Sequence, residues 1–571
     1  MWKILGEGVL KYRFFLLALL LLSTSFMAWH ARKVKLSYEF SKAIPTDNPK
    51  YLEYQQFKRR FGEDGNLLLI GIETRNFFHQ SIFNDYLLLN RQIKNIRDVD
   101  DIISVPSAVN LLKDYETEKL NATSIFRDTV LSQTEIDSSA AVFLSLPFYK
   151  GLLYNPQTST WLMGVRLNKN ILASEKRVSV VQKISTYASN FGYKHNIDVH
   201  LSGLPLIRTV LAHRLEKEMR WFVLGSVLLS AIILMLFFRS FSSTLLSLAV
   251  VIIGVLWSFG TIDLLGYKIT LLTALIPPLV VVIGIPNCIY FLNKYHTAYK
   301  EANNKHEAIV SMVAKMGVVT LFCNISAAIG FAVFALTKST ILKEFGVVAG
   351  INIMMLFFIS LILIPAVLSI LPPPKYKHTK YLQSPGLQRW LDRLEFWSLN
   401  HRKLIYLITT VVVLISVAGM FRLKSVGYIV DDLPKTDKIY TDLKFFEKNF
   451  KGVMPLEIVV DTKKPNGLRG ARALTVYQKV DSLSEYISSM PEVARPLSIV
   501  EGLKFAKQAF FEGDTANYAM PSEYDLPGLQ SYLSVRKGGD TNKNSFSRIV
   551  STFVDSSQQQ TRISASIQDV G

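Results

Sequence analysis

Leu271–Leu292 reads LLTALIPPLVVVIGIPNCIYFL, without a single charge. At ~1.5 Å rise per residue the stretch reaches roughly 33 Å as a helix, enough to cross a bilayer core. It also carries Pro277, Pro278, Pro286 and the amide Asn287. Each proline removes a backbone donor and leaves a carbonyl without its partner. Such groups are tolerated at membrane depth only where other helices, side chains or water satisfy them. The stretch therefore reads as an inner helix of a bundle.

Six further apolar blocks surround it: Phe14–Trp29, Trp221–Phe238, Ser243–Leu265, Gly317–Leu336, Phe345–Leu371 and Leu404–Phe421. The chain is 49% hydrophobic and 19% charged, and the apolar residues sit in these blocks. That pattern excludes a soluble enzyme and specifies an integral membrane protein. The links Arg239–Ser242 and Gly266–Thr270 are short enough to force antiparallel neighbours. The first block follows Lys3, Lys11 and Arg13 and lacks a small-x-small cleavage site, so residues 1–30 read as an uncleaved first transmembrane helix.

The formal charge of +19 would raise nucleic acid as a partner for a soluble protein. Here Lys and Arg cluster beside the apolar blocks, as the positive-inside rule expects, and no nucleic-acid partner is read. With the N-terminus inside, the predicted inner links are Arg239–Ser242, Asn293–Met316 and Pro372–Lys403, which are rich in Lys and Arg. The opposite short links carry only Lys268, Lys338 and Lys343. This orientation places residues 31–219 and 422–571 outside the membrane.

In the first of these polar segments, Asn66–Glu73, Trp161–Leu167 and Asp198–Leu204 read as strands, and Gln80–Ile96 and Glu175–Phe191 as helices. The alternation predicts an α+β or α/β domain. Pro205–Arg220 is helical in pattern and runs straight into the second span. In the third inner link, Gln388–Asn400 puts Trp390, Leu391, Leu394 and Trp397 near one helical face. That pattern suits a helix on the membrane surface; a small packing helix in the cytoplasm fits it equally.

The expected domains are thus a first transmembrane helix (1–30), an external α+β domain (31–219) and a five-helix membrane bundle (220–371). A cytoplasmic link (372–403), a seventh transmembrane helix (404–421) and a second external α+β domain (422–571) follow. Cys288 and Cys323 both fall in apolar blocks, so the polar segments fold without disulfides. No cofactor or metal site is read. No phosphate-binding glycine loop of the G-x-x-x-x-G-K-[ST] type and no nucleophile–base pair stand out.

The chain repeats itself. After the first span comes AIPTDNPKYLEYQQFKRRFGEDGNLLLIGIET, and after the seventh DDLPKTDKIYTDLKFFEKNFKGVMPLEIVVDT. Pro45, Tyr51, Phe57 and Phe61 match Pro434, Tyr440, Phe446 and Phe450 at one constant offset. The unit is one membrane helix, one polar α+β domain and five membrane helices. Seven spans are present, and a complete second unit predicts twelve in full, a parallel-repeat transporter plan.

This plan resembles the resistance–nodulation–division superfamily, and within it the hydrophobe-exporter branch of the mycobacterial large membrane proteins and Patched-like proteins. The residues that carry the resemblance are Thr273, Pro277, Pro278, Leu279, Gly284, Ile285, Lys294 and Tyr295 in the fourth span. They match T-x-L-x-P-P-L, then G-[IV]-D-[YD], then a basic-aromatic end. NISAAIGFAVFAL with Lys343-Glu344-Phe345-Gly346 is similar to a pattern shared with sterol-sensing domains. The resemblance implies an α-helical polytopic membrane bundle with two external porter-like domains inserted after spans 1 and 7. It also implies ion-driven export of a lipid or other hydrophobic or amphipathic substrate from the bacterial inner membrane. The implied partners are membrane lipids, the substrate and a further copy of the chain.

The superfamily couples transport to protons through acids on the fourth and tenth helices, since an intramembrane carboxylate that titrates biases two conformations. In this sequence Pro286 occupies that acid position and Asn287 the next. Neither titrates. The candidates for translocation or coupling are therefore Gly284, Pro286, Asn287, Tyr290, Asn324 and Asn352. Asn287 reads as part of a relay or ion site, or as an interhelical hydrogen bond; Pro286 as a hinge, or as a tolerated kink. Asn324 and Asn352 read as helix glue that could face Asn287. Asp263, the acid inside the membrane blocks, is expected to pair with Lys268 at the interface. The alternative function is a non-pumping relative, a sensor or envelope-assembly protein.

Overall fold

The computed structural model describes residues 1–36, 47–62, 65–116, 119–172, 174, 176–374, 385–423, 434–452, 454–470, 472–525, 528–529 and 552–569. In chain order the helices are α1 Trp2–Lys11, α2 Arg13–Ala31, α3 Pro49–Phe61, α4 Gln80–Lys94, α5 Gln133–Leu144, α6 Lys176–His195, α7 Leu204–Phe238, α8 Phe241–Leu264, α9 Ile276–Ala302, α10 Lys305–Ala332, α11 Thr340–Ile370, α12 Pro385–Asn400, α13 Arg402–Met420, α14 Lys438–Phe450, α15 Arg472–Ser488 and α16 Ile499–Phe510. The strands are β1 Leu67–Glu73, β2 Val99–Ile103, β3 Val109–Asp114, β4 Lys119–Ser124, β5 Tyr154–Asn155, β6 Thr160–Leu167, β7 Val199–Ser202, β8 Met454–Asp461 and β9 Gln560–Ile567. They form two compact units. One comprises Met1–Tyr51 and Leu211–Ser425, and the other Leu52–Val210 and Val426–Gly571.

In the first unit, helices containing α2, α7, α8, α9, α10, α11 and α13 are long and apolar enough to cross a membrane. The expected single helix over residues 1–30 is two. Tyr12 leaves helical geometry (φ −104°, ψ 21°) and separates α1 from α2. α1 is held by close packing on α10. A Cβ on Gly317 would stand 2.7 Å from the Trp2 ring, so glycine there lets the indole lie against the helix backbone. A second difference lies between α9 and α10. Residues 293–316, read as a link, are almost wholly helical. Only Asn303 and Asn304 remain between the helices: Asn303 adopts φ +48° to end α9, and the Asn304 side chain accepts from the amides of His306 and Glu307 to start α10. Asparagine tolerates the left-handed region and caps helix starts, so one dipeptide does both jobs.

α2 and α8 run parallel and meet through three contacts at equal sequence steps. Trp257 Nε1 donates to Thr24 Oγ1 at 3.1 Å. Gly260 admits the Met27 backbone, whose carbonyl oxygen would lie 2.7 Å from an added Cβ. His30 Nδ1 lies 2.8 Å from Asp263 Oδ2. Asp263 therefore pairs with His30, not with Lys268, because the parallel register brings the two helix ends together. α11 is the most enclosed span; its Leu356 packs where Gly254 of α8 and Gly284 of α9 leave room. Lys305 Nζ donates to the carbonyls of Ser369 and Leu371, both at 2.6 Å, and so satisfies the open C-terminal end of α11.

The second unit has a five-stranded antiparallel sheet with order β2-β6-β1-β7 and β5 added beside β6. β3 and β4 form a hairpin, and β8 pairs with β9. Alternation fixes the faces of β1. Leu68, Ile70 and Ile72 point into the aromatic core with Phe77, Phe83 and Tyr86. Gly71 points the other way, under Phe445 and Phe446 of α14.

That last contact shows how the repeat folds. α3 and α14 are both 13 residues long and occupy corresponding positions in the two copies. α14 lies on strands of the first copy, and α3 touches a strand of the second. α14 covers β1 and β7, where Asp442 Oδ1 lies 2.8 Å from His200 Nδ1 and Asp442 Oδ2 accepts from the Leu201 amide at 3.0 Å. α3 meets β9, where Arg60 Nη1 donates to Gln560 Oε1 at 2.5 Å and Arg562 stands over the Phe61 ring. α16 goes further: its Phe505, Ala506 and Ala509 belong to the core of the first copy. Arg495 completes the joint by donating to the carbonyls of Pro147 and Lys150 and to Glu501 and Tyr518. Both polar segments thus build one unit.

Candidate functional site

α9 presents two faces. Val280, Val281, Gly284, Asn287, Cys288, Phe291 and Leu292 are buried. Val282, Pro286 and Tyr290 form an exposed stripe at helical spacing, with Tyr290 42% exposed. The helix runs unbroken through Pro286. The proline ring needs no room inside the bundle because it sits on this stripe, and the carbonyl it deprives of a donor belongs to Val282, on the same face. Pro286 is therefore neither a break in the helix nor part of the buried cluster, and Tyr290 lies outside that cluster as well.

Asn287 is on the inner face and 3% exposed. It meets Asn324 of α10, 1% exposed, through a reciprocal amide pair. Asn287 Nδ2 donates to Asn324 Oδ1 at 3.3 Å, and Asn324 Nδ2 donates back to Asn287 Oδ1 at 3.1 Å. The second Asn324 proton goes to the Thr320 carbonyl at 2.7 Å, one turn earlier on its own helix. Each carboxamide acts as donor and acceptor at once, which closes a polar contact inside an apolar bundle without a net charge. Gly284 lies one turn before Asn287; a Cβ there would press on Val251 of α8 and Leu356 of α11. The glycine sets how close α9 comes to both neighbours.

Asn352 of α11 is equally buried but belongs to a different contact. Its Oδ1 accepts from Thr261 Oγ1 of α8 at 3.3 Å, and its Nδ2 donates to the Val348 carbonyl at 2.8 Å. The sequence offered Asn324 and Asn352 as possible partners of Asn287; the structure brings Asn324 to it and gives Asn352 to α8. Cys288 is buried near the Ser247 carbonyl, with Sγ–O 3.9 Å. Within α9 no carboxylate reaches the inner face. Among the described residues no group of three or more His, Cys, Asp and Glu side chains could hold a metal ion.

Sequence reasoning missed the His30–Asp263 pair, whose partners stand far apart in the chain and share no motif. It also missed the amphipathic cleft of about 330 Å³ on α7, lined by His213, Glu216, Lys217, Arg220, Trp221 and Leu224. The signal was present in the order of residue types along that helix: charge gives way to exposed apolar side chains at Trp221.

Comparisons with known proteins identify relatives of the chain. A protein of Methanocaldococcus jannaschii named only as a membrane protein is 22% identical over 364 residues, 62% of this chain and 90% of its own length. A Mycobacterium tuberculosis protein named MmpL12, a probable transport protein, is 21% identical over 409 residues, 68% of this chain. The chain spans about a third of that relative's length, 34%. The profile of the MMPL family matches residues 88–399. That match takes in most of the first polar segment, helices α7–α11 with the Asn287–Asn324 contact, and nearly all of α12. The chain is a multi-pass membrane protein and belongs to the MMPL family.

Proposed function

We propose that the protein exports a lipid or other amphipathic substrate across the bacterial inner membrane, driven by an ion gradient, with coupling that does not pass through α9. The observation that carries this reading is the Asn287–Asn324 pair. It stands beside the position where the superfamily keeps its acid, yet it is uncharged and its hydrogen bonds are internally matched. A group that never changes charge cannot bias two states by taking up a proton. The export reading draws support from family membership and from the name of the mycobacterial relative. The α7 cleft supports an amphipathic cargo: Lys217 and an Arg220–Glu216 ion pair stand directly before exposed Trp221 and Leu224, a charged end above an apolar one. In this reading the N-terminus is cytoplasmic and the polar unit lies outside. The test is lipid profiling of the envelope in a deletion strain and its complemented parent. Loss of a lipid or amphiphile from the outer layers supports export; no change in any such compound overturns it.

The same pair favours a second reading, a non-pumping sensor or envelope-assembly protein that keeps the bundle. Purified protein in liposomes separates the two. Substrate movement under an imposed ion gradient belongs to the pump; binding without movement belongs to the sensor.

A further inference from the structure

We infer that α2, α10 and α11 together form a binding site for the phosphate of an anionic phospholipid, held by Arg13 and Lys305. Both cations converge on one residue, Ser369 near the end of α11. Arg13 Nη1 donates to the Ser369 hydroxyl oxygen at 3.5 Å, and Lys305 Nζ donates to the Ser369 carbonyl at 2.6 Å. Lys305 Nζ also donates to the Leu371 carbonyl at 2.6 Å. Arg13 and Lys305 are both half-buried. Two like charges brought together away from bulk water repel, and each has lost part of its hydration.

A carboxylate would be the ordinary counter-charge, yet among the described residues neither cation has one within ion-pairing distance. Glu7, Glu301 and Glu307 are exposed and pair with neither. The sequence just after α11 adds none: residues 375–384 read KYKHTKYLQS, with Lys375, Lys377 and Lys380 and no acid. The last Lys305 proton and the other guanidinium N–H groups of Arg13 meet no acceptor among the described residues, so both groups keep donors for an anion. A guanidinium fork matches two phosphate oxygens, and an ammonium adds a point charge beside it. The surroundings identify the phosphate as a lipid's. Arg13 is the last charge before the apolar run of α2, and Ile370 closes that of α11; both helices are long and apolar enough to cross a membrane. Phe14 and Phe15, each 67% exposed, and Ile370, 54% exposed, adjoin the cations. The Arg13 guanidinium lies 5.0 Å from the centre of the Phe14 ring. Cations between membrane helices with bare apolar side chains next to them match a headgroup phosphate above acyl chains. A free phosphate would leave those side chains uncovered.

The test uses the full chain in lipid nanodiscs, with phospholipid probes that carry a photoactivatable diazirine in the acyl chain. One probe has a phosphatidylglycerol headgroup, the other phosphatidylcholine. Adducts are mapped by peptide mass spectrometry and normalised to those on α13, a span with no buried residue. Phosphatidylglycerol should label the peptides holding Phe14–Phe15 and Ile370 in excess over phosphatidylcholine. Arg13→Gln should cut that excess roughly fivefold, the effect of one basic side chain at an anionic lipid surface. Arg13→Lys, which keeps the charge, should retain most of it. Equal labelling by the two lipids, or an excess that survives Arg13→Gln, would overturn the site. So would Arg13→Lys losing as much as Arg13→Gln, which would show a packing role without charge. Excess inorganic phosphate should leave the labelling unchanged; displacement of phosphatidylglycerol by it would overturn the lipid assignment in favour of a free anion.

Discussion

Asn287 and Asn324 exchange amide hydrogen bonds across α9 and α10, at 3.3 and 3.1 Å, inside a bundle that offers them no other interhelical partner among the described residues. They form one contact, not two independent ones. Interhelical hydrogen bonds in membrane proteins contribute about 0.6–2 kcal/mol. Asn287→Ala and Asn324→Ala should each destabilise the bundle by about that amount, and the double variant should cost little more than either alone. Reversible unfolding in mixed micelles measures the cycle. Fully additive losses would show that the two amides do not act together.

The parallel packing of α2 on α8 rests on the missing side chain at Gly260. An added methyl would stand 2.7 Å from the Met27 carbonyl oxygen and 3.1 Å from its Cα, so backbone is in the way as well as the Met27 Sδ at 3.0 Å. Gly260→Ala should therefore destabilise the bundle by about 1–3 kcal/mol, the usual cost of overpacking. Gly330, in the last turn of α10, is the control. Nothing lies within 4 Å of its Cβ position, and Gly330→Ala should be neutral or stabilising. Thermal melts of the two variants in detergent give the comparison, and equal losses would contradict the packing.

Asp525 gives a pH signature in the polar unit. Lys507 Nζ lies 2.9 Å from its carboxylate, and the Ser522 amide and hydroxyl both donate to it at 2.8 Å. The hydrogen bond from Lys507, then those from Ser522, hold its pKa below the ordinary carboxylate value. A depressed folded pKa means the contribution is complete above the unfolded value of about 3.9 and is lost as pH falls through the folded one. Acid should thus open the 522–525 turn locally. Asp525→Asn should open it at every pH and remove the acid dependence. Hydrogen exchange at the Leu529 amide, which donates to the Asp525 carbonyl at 2.9 Å, reads both. An unchanged acid limb in the variant would contradict the assignment.

How much of this was legible in the sequence depended on whether the information was local. The spans were, because twenty apolar residues in a row leave few alternatives, and the repeat was, because Phe57 and Phe446 recur in register. The helical course of residues 293–316 was hidden by their charges, although Asn303-Asn304 marks the turn in the right place. The exchange of α3 and α14 between the copies was not legible, since Gly71 reads as a weak strand residue until Phe445 and Phe446 are seen above it. Within the candidate site, periodicity alone separates Pro286 from Asn287 by about 100°, enough to put one outside and the other inside. Which amide Asn287 would meet depended on helix rotation, and no one-dimensional pattern carries that.

The central claim is that Asn287 ties two helices together and does not carry the coupling ion. The most direct measurement is export in the deletion strain complemented with the wild-type chain, with Asn287→Ala or with Asn287→Ser, each compared at equal protein level. The account predicts that both variants restore the missing envelope lipid, with Asn287→Ala showing only the loss expected from a less stable bundle. Export abolished by both variants at undiminished protein level and stability would contradict it and return the ion path to α9.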